Sequence, residues 1–494
     1  MTSTLALDLG AESGRAVLGV FDGHKLDLRS LHRFPNLPQR IRGTLYWDVL
    51  SLFGGITESL QRAAQETGGR LTSLAVDTWG VDYALLDASG RLVANPVHYR
   101  DLRTDGIMER VFARVPREEL YERTGIQFMP INSLIQLYAM RLEGDPQLNS
   151  AETLLMIPDL FHYWLSSVMV CEVTEASTSQ CLDIQTNGWA EDLLERLAIP
   201  VRLFGELVDP GTALGPLLPE LAERTGLKST RVIAPASHDT ASAVAAVPFS
   251  HPHAAYISSG TWSLVGVELE APLVNDQVRE ANLTNERGVA GTFRLLRNVA
   301  GLWLLQDLRR GWGGAEAPPY DALVEMAEQA PPFKALIDPD DPLFLRPGDM
   351  PGRIRRFCEE SGQLLPDTMG ELVRCVLESL AFKYRWVIDL LERVTGRRIP
   401  VLHVVGGGSQ NWLLCQLTAD AANRPVLAGP AEAAAMGNLL VQAITLGELG
   451  SVQEAREVAR TSSGLVSYEP RRPEAVLTAY ERFCRLLDGR TRTA

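Results

Sequence analysis

The chain has 494 residues, 46% of them hydrophobic and 22% charged, and a formal net charge of -14 at pH 7. This is the composition of a soluble globular protein with room for two or more domains and a core that needs no disulfide or structural metal. Such an acidic balance argues against nonspecific binding to nucleic acid or an anionic membrane, although a few arginines and backbone N–H groups still suffice for a phosphate.

Met1 to Thr4 leads straight into an apolar strand, without the basic and apolar regions of a signal peptide, and no apolar stretch reaches the length of a membrane span. Leu5–Gly10 and Arg15–Gly23 read as two strands joined by a polar turn, with Asp22-Gly23 turning into a third. A helix follows over Trp47–Glu66, where apolar residues recur near helical spacing. Leu74–Val76 and Val81–Leu86 are further strands, and Asp87-Ala88-Ser89-Gly90 is a turn. From Pro116 to Leu165 the pattern is mostly helical; from Ala176 to Trp189 it is polar, strand-like and irregular. Arg231–Pro235 is a short β-branched strand that runs through Ala236-Ser237-His238-Asp239-Thr240 into a helix of small residues.

Around Ala254 the opening pattern returns, because Ala255–Val267 is again strand, polar glycine turn, strand. This echo splits the chain near residue 250 and suggests two duplicated α/β lobes, residues 1–248 and 249–494, with a ligand in the cleft between them. The second half is helix-rich. Its last clear strand, Val401–Val405, ends in Gly406-Gly407-Gly408. Val426–Ala428 reads as a short edge strand, Gly313–Pro319 and Pro347–Gly352 as surface loops, and the segment from Pro473 on as a helix. The six cysteines are scattered, with neither CxxC nor metal-ligand spacing. The expectation is a cytoplasmic chain with reduced thiols, Cys358 and Cys375 either meeting across one loop or, as favoured, buried separately.

Several motifs carry possible chemistry. In Asp8-Leu9-Gly10-Ala11-Glu12-Ser13-Gly14-Arg15 a glycine-rich turn between strands can present N–H groups to phosphate oxygens. Arg15 adds a forked cation, and Asp8 is placed to hold Mg²⁺ through water. An ordinary hairpin with a polar tip is the plain alternative. Ser258-Ser259-Gly260-Thr261-Trp262-Ser263 has the same logic, with the Thr261 hydroxyl added, and two such turns together are more specific than either. The glycines at 406–408 allow a flat ring to lie on the backbone, or simply a tight strand-to-helix turn. Asp239, a carboxylate between a strand and a helix, suits a general base and equally a helix cap. Its neighbours Ser237 and His238 cannot form a hydrolase triad with it, because triad members converge from separate positions.

Asp77-Thr78-Trp79-Gly80-Val81-Asp82-Tyr83 offers carboxylates and aromatics to a sugar, or is a strand pair with cross-strand aromatics. Tyr99-Arg100-Asp101-Leu102-Arg103 is a polar network bordering that pocket or a surface salt-bridge cluster. His251 and His253 belong to a surface loop rather than a metal site. Gly301–Gln306 reads mostly as helix core, although Asn298 and Gln306, roughly two turns apart, are spaced to share a face.

In this order, DLGAESGR, DTWGVDY, YRDLRT, GIQFMPINSL, ASHDTASAV, SSGTWSL, TNERG, NVAGLWLLQ and VVGGGSQN resemble the FGGY family of carbohydrate kinases. The resemblance runs from about Leu5 to about Leu446 and is strongest to the members that act on L-rhamnulose. It implies an α/β fold of two actin-like (ribonuclease-H-like) lobes with a catalytic cleft between them. It also implies transfer of the γ-phosphoryl group of ATP, with Mg²⁺, to the 1-hydroxyl of L-rhamnulose by a monomer or small homo-oligomer. By match of motif, Asp239 would accept the proton. His238, Asp239 and Thr240 would line the sugar, with Gly80 on its far side and Asn298 nearby. Ala11, Glu12, Ser13, Gly14, Arg15, Thr261, Gln306 and Gly407 would hold the nucleotide. Related kinases carry Ser or Thr where this chain has Ala11-Glu12, so Glu12 is expected to point outward or pair with a cation. The competing readings are a kinase of the same fold for fuculose, xylulose or glycerol, and a non-kinase actin-like ATPase.

Overall fold

The computed structural model describes residues 1–471 and 473–491. Its backbone divides into two compact units. The first comprises Met1–Pro248, Glu268–Leu295 and Ala433–Ser463; the second takes Phe249–Val267, Leu296–Glu432 and the chain from Gly464 onward.

In the first unit, β1 (Thr2–Leu9), β2 (Ser13–Phe21), β3 (Leu26–Pro35), β4 (Ser73–Thr78), β5 (Thr212–Pro216) and β6 (Arg231–Ala234) form one sheet in the order β5-β6-β4-β1-β2-β3. β1, β2 and β3 are antiparallel neighbours, while β4 runs parallel to β1 and β6 parallel to β4. Position decides composition. β1 is central and covered on both faces, and Leu5, Ala6, Leu7 and Leu9 are all fully buried. β3 lies at the edge and carries Arg29, Ser30, His32 and Arg33, polar residues that discourage further strand pairing. Helix α1 (Val49–Thr67) starts at Asp48, whose carboxylate accepts from Ser51 N, and stops at Gly68 in the left-handed region. It buries Leu52, Ile56, Leu60 and Ala63 as one stripe.

The Ala433–Thr445 helix of the same unit packs on β1 and β4 and against helix α3 (Asp239–Ala245). A polar pair one turn apart ties it to the sheet. Gln442 Nε2 donates to Leu5 O at 3.0 Å and to Asn438 Oδ1 at 2.7 Å, and Ser73 Oγ donates to Gln442 Oε1 at 2.6 Å.

The second unit repeats the arrangement. β7 (Ala255–Ser259), β8 (Trp262–Leu269), β9 (Phe293–Ala300), β10 (Leu402–Val405), β11 (Val426–Ala428) and β12 (Val466–Tyr468) follow the order β9-β8-β7-β10-β11-β12. β7 and β8 are antiparallel, β10 is parallel to β7, β11 is parallel to β10, and β12 is antiparallel to β11. The strand–turn–strand echo around Ala254 therefore marks the start of a second sheet with the same four-strand centre, while the outer strands differ: β12 follows β11 in the chain where β5 precedes β6.

Some local expectations need correction. Val426–Ala428 is not an edge strand, since Val466–Tyr468 pairs along its outer side. The helical run from Pro116 to Leu165 is interrupted by a strand, Thr153–Met156, paired with Tyr83–Leu86. The stretch from Ala176 to Trp189 is helical and turn-like at Ser177–Ser179, because Ser177, Thr178 and Ser179 each turn a hydroxyl back to a carbonyl three residues earlier. A helix begins at Met350 inside the predicted Pro347–Gly352 loop, capped by Asp349. Cys358 and Cys375 are both buried free thiols, near enough to act on each other, with Cys358 pushing the Cys375 thiol up. Among the described residues no helix is long and apolar enough to cross a membrane.

Candidate functional site

The parallel register of the first sheet gathers its candidate residues. β1 and β4 align Asp8 with Asp77, near the ends of both strands. Beyond β6 the chain stays beside β4, with a bridge between Thr78 and His238 and a bond from Thr78 N to Ser237 O at 2.9 Å. Asp8, Asp77, His238 and Asp239 thus collect at the carboxyl ends of parallel strands, the usual binding edge of such sheets.

Asp239 opens α3 without capping it. The N-cap residue is His238, which makes no side-chain cap bond. The Asp239 side chain stays 31% exposed, so its carboxylate is available. Thr240 Oγ1 donates to its Oδ1 at 3.0 Å, and His238 Nε2 lies 3.5 Å from the same oxygen. Thr240 and His238 are buried.

The support behind this elbow was absent from the sequence reading. Glu172, buried ahead of helix α2 (Val173–Ala176), accepts from Ser237 N at 3.0 Å and from Thr174 Oγ1 at 2.5 Å. His238 N donates to Thr174 Oγ1 at 3.3 Å. Burial pushes Glu172 up to about 7. Glu175, also fully buried, lacks a hydrogen-bond partner on either oxygen among the described residues. Burial, then Asp159 and Asp239, hold it well above the usual carboxylate range.

Asp8 faces Arg15 across the β1–β2 hairpin, and Arg15 Nη2 lies 2.8 Å from Asp8 Oδ2. Burial, and next the nearby Asp8 charge, push Asp77 well above the usual range, against a 2.6 Å bond from Asn438 Nδ2. Asp77 Oδ1 has no partner among the described residues. The turn between β1 and β2 is fixed through its carbonyls, because Asn36 Nδ2 donates to Gly10 O and Asn36 N to Glu12 O, both at 3.0 Å. Ala11 and Ser13 are half-buried, Gly14 is buried, and Glu12 is exposed as expected.

Gly80 lies in a turn beyond β4. A Cβ there would come within 3.0 Å of Thr178 Cγ2, while Val81 N donates to Thr178 Oγ1 at 2.9 Å. Val81 has φ +70, a costly conformation for a β-branched residue. Its carbonyl accepts from Ser133 Oγ. Asp82 is not a sugar ligand here. It is fully buried and accepts from Trp47 Nε1 at 2.5 Å, Trp79 Nε1 at 3.0 Å and Gln136 Nε2 at 3.0 Å, and burial pushes it up to about 6. It anchors Trp47 and Trp79, and the Trp47 ring stacks on His98 and lies tilted against Trp79. Arg100 and Asp101 are buried in this region, so the Tyr99–Arg103 segment is no surface cluster.

In the second unit the β7–β8 turn holds the start of helix α4 (Trp303–Gly311). Trp303 N donates to Thr261 O at 3.0 Å and Leu302 N to Gly260 O at 2.9 Å. Only glycine fits at 301, where a Cβ would lie 2.6 Å from the carbonyl carbon of Trp262. Gly301 also ends β9, so Asn298 sits on a strand and Gln306 on a helix, and the two do not share a helix face. Gln306 Oε1 is buried without a partner among the described residues. The three glycines after β10 differ. A Cβ on Gly408 would lie 2.0 Å from Ser259 Oγ, and Gly406 takes φ +80 against Ser259 O, but a Cβ on Gly407 meets nothing within 4 Å. The outer two serve the tight turn and the middle one faces open space. His251 and His253 are exposed, as expected of a surface loop. Among the described residues no group of three or more His, Cys, Asp or Glu is arranged to hold a metal.

Residues 3–246 match the N-terminal domain of the FGGY family of carbohydrate kinases and residues 255–446 its C-terminal domain. The chain belongs to this family of ATP-dependent sugar kinases. It is 44% identical over 478 residues to the rhamnulokinase of Bacteroides thetaiotaomicron, covering 97% of this chain and 98% of the relative. It is 42% identical over 481 residues to the rhamnulokinase of Pectobacterium carotovorum, covering 97% and 95%. Among solved structures it resembles a xylulose kinase from Lactobacillus acidophilus, with TM-score 0.81, 17% identity and coverage of 99% and 98%. Plasmodium falciparum glycerol kinase with ADP gives TM-score 0.76 at 14% identity, covering 99% and 98%. At these identities the structural likeness speaks for the fold alone.

Proposed function

We propose that this chain transfers the γ-phosphoryl group of ATP to the 1-hydroxyl of L-rhamnulose, giving L-rhamnulose 1-phosphate and ADP. Near-full-length identity to rhamnulokinases supports the substrate. The observation that carries the chemistry is Asp239, an accessible carboxylate at a strand-to-helix elbow whose backbone is bonded from β4 and α2. Asp239 accepts the proton of the attacking hydroxyl as the oxygen meets phosphorus in line. His238 and Thr240 hold the sugar beside it, with Gly80 and Asn298 as further contacts. The transition state of such transfers is loose, so positioning dominates.

Ala11 to Arg15 hold phosphate through the turn that Asn36 fixes by its carbonyls, and Thr261, Gln306 and Gly407 contact the rest of the nucleotide. Asp8 is the residue that would hold Mg²⁺. A hard carboxylate donor beside the orphaned Asp77 Oδ1 suits an ion that takes one or two carboxylates and fills its shell with phosphate and water. Bound there, the ion would neutralise phosphate charge.

A coupled ADP-release assay across L-rhamnulose, L-fuculose, D-xylulose and glycerol tests the reading. The highest kcat/KM is expected on L-rhamnulose. Equal turnover without any sugar would overturn it in favour of a plain ATPase.

A further inference from the structure

Arg294 is fully buried beside His238. Its Nη2 lies 3.1 Å from His238 Nδ1 and 3.1 Å from Glu286 Oε2. Its Nε donates to the Arg287 carbonyl at 3.0 Å, which fixes the plane of the guanidinium. Glu286 Oε2 is 3.4 Å from the same imidazole nitrogen, and the other ring nitrogen, Nε2, is 3.5 Å from Asp239 Oδ1.

Two arrangements compete for Nδ1. It can carry a proton and donate to Glu286, or it can be bare and accept from Arg294. A guanidinium has donors only and keeps its charge in proteins. The shorter contact is the one with Arg294, and it alone meets hydrogen-bond geometry; Glu286 Oε2 makes an ion pair with the same Nη2 but no hydrogen bond to the ring. We propose that Arg294 is a positioning residue that fixes the His238 tautomer: Nδ1 bare, Nε2 protonated, the ring neutral and directed as a hydrogen-bond donor to the sugar beside Asp239. This rests on the reading that His238 lines the sugar.

The surroundings give the device a purpose. Facing the ring are Asp239 from its own helix, Glu286 from the Thr284–Arg287 strand and Arg294 from β9, while α2, bonded to the His238 backbone through Thr174, brings Glu172 and Glu175. Carboxylates alone would draw a second proton onto the imidazole. Arg294 is the only cation of this set and opposes it. A neutral ring places no positive charge 3.5 Å from the Asp239 oxygen that is to take the proton. Glu286 compensates the buried guanidinium.

The test is two-bond ¹H–¹⁵N NMR of the histidines in the full chain, with His238 assigned through His238→Gln, alongside steady-state kinetics. The wild type should show a bare Nδ1 and a protonated Nε2. The double variant Arg294→Met/Glu286→Gln removes donor and counter-ion together, so no charge is stranded if Arg294→Met alone fails to fold. It should lose the single tautomer and raise the sugar KM about tenfold, the worth of one hydrogen bond, with KM for ATP unchanged. Arg294→Lys should restore part of the sugar KM, and Glu286→Gln alone should keep the tautomer. A protonated Nδ1 or an imidazolium in the wild type overturns the tautomer assignment. The proposed tautomer in the wild type, lost in the double variant with no change in sugar KM, overturns instead the placement of His238 against the sugar.

Discussion

A methyl group on Gly437 would lie 1.7 Å from the backbone oxygen of Ser242. The Ala433–Thr445 helix and α3 therefore touch backbone to backbone, and the glycine sets their spacing. Ser242 is three residues beyond Asp239 on a helix that also buries Ala241, Ala243 and Ala245. The position of the candidate base is thus set partly by a residue almost 200 places away in the chain.

Gly437→Ala should move α3, because the clash is with main chain that no rotamer change relieves. We expect a loss of about 1–3 kcal/mol in unfolding free energy and a fall in kcat larger than any rise in KM. Urea denaturation with steady-state kinetics checks both. Unchanged stability and turnover would mean that the interface adapts without cost.

Asp239→Asn should lower kcat by about 10²- to 10⁴-fold, the range for loss of a general base, while nucleotide still binds by calorimetry. Near-normal turnover would remove Asp239 from the role.

Gly407 and Gly408 separate a ligand contact from a packing need. Gly408→Ala should destabilise the chain, since its Cβ would fall 2.0 Å from Ser259 Oγ; Gly407→Ala should leave the melting temperature alone, since nothing lies within 4 Å. If Gly407 contacts nucleotide, its variant should raise KM for ATP with the sugar KM unchanged. An unaltered KM for ATP would place the nucleotide elsewhere.

Glu172 gives a pH prediction. Its carboxyl is held at about 7 in the folded chain against an ordinary value of 4.5. Between those values the native chain keeps a proton that the unfolded chain has released, so this group's contribution makes stability fall as pH rises through that window. Glu172→Gln should make the slope of unfolding free energy between about pH 5 and 7 less negative by up to about 1.4 kcal/mol per pH unit. Denaturation at a series of pH values reads the slope directly. Coincident slopes for the two proteins would show Glu172 ionised in the native state.

Much of this was legible along the chain. β1, β2, β4, β6, β7 and β10 announce themselves as apolar runs bounded by glycine and polar turns, and the motifs at their ends contain Asp8, Asp239, Thr261 and Gly407. What escaped depends on contacts between distant segments. Glu172 caps the His238 elbow from 65 residues away, and Asn438 reaches Asp77 across 361. Arg294 meets His238 from another strand. None of them stands in a local pattern that marks it. Asn298 and Gln306 were misjudged for the opposite reason: their spacing suits a helix, but the close approach at Gly301 puts a strand end between them. Val426–Ala428 looked like an edge because its outer partner, Val466–Tyr468, is a short strand that comes late in the chain.

The first unit's dependence on Ala433–Ser463 bears on how the chain is made. While a ribosome is still extending it, a chain with its first 248 residues finished has every strand of the first sheet. It lacks Asn438, Gln442 and Gly437, the residues that bond to Asp77, bridge the underside of β1 and β4, and set the height of α3. The nascent sheet must wait with that face uncovered until the Ala433–Thr445 helix emerges. The elbow bearing Asp239 acquires its final support only once those residues are made, and a chain cut short before residue 433 would never acquire it.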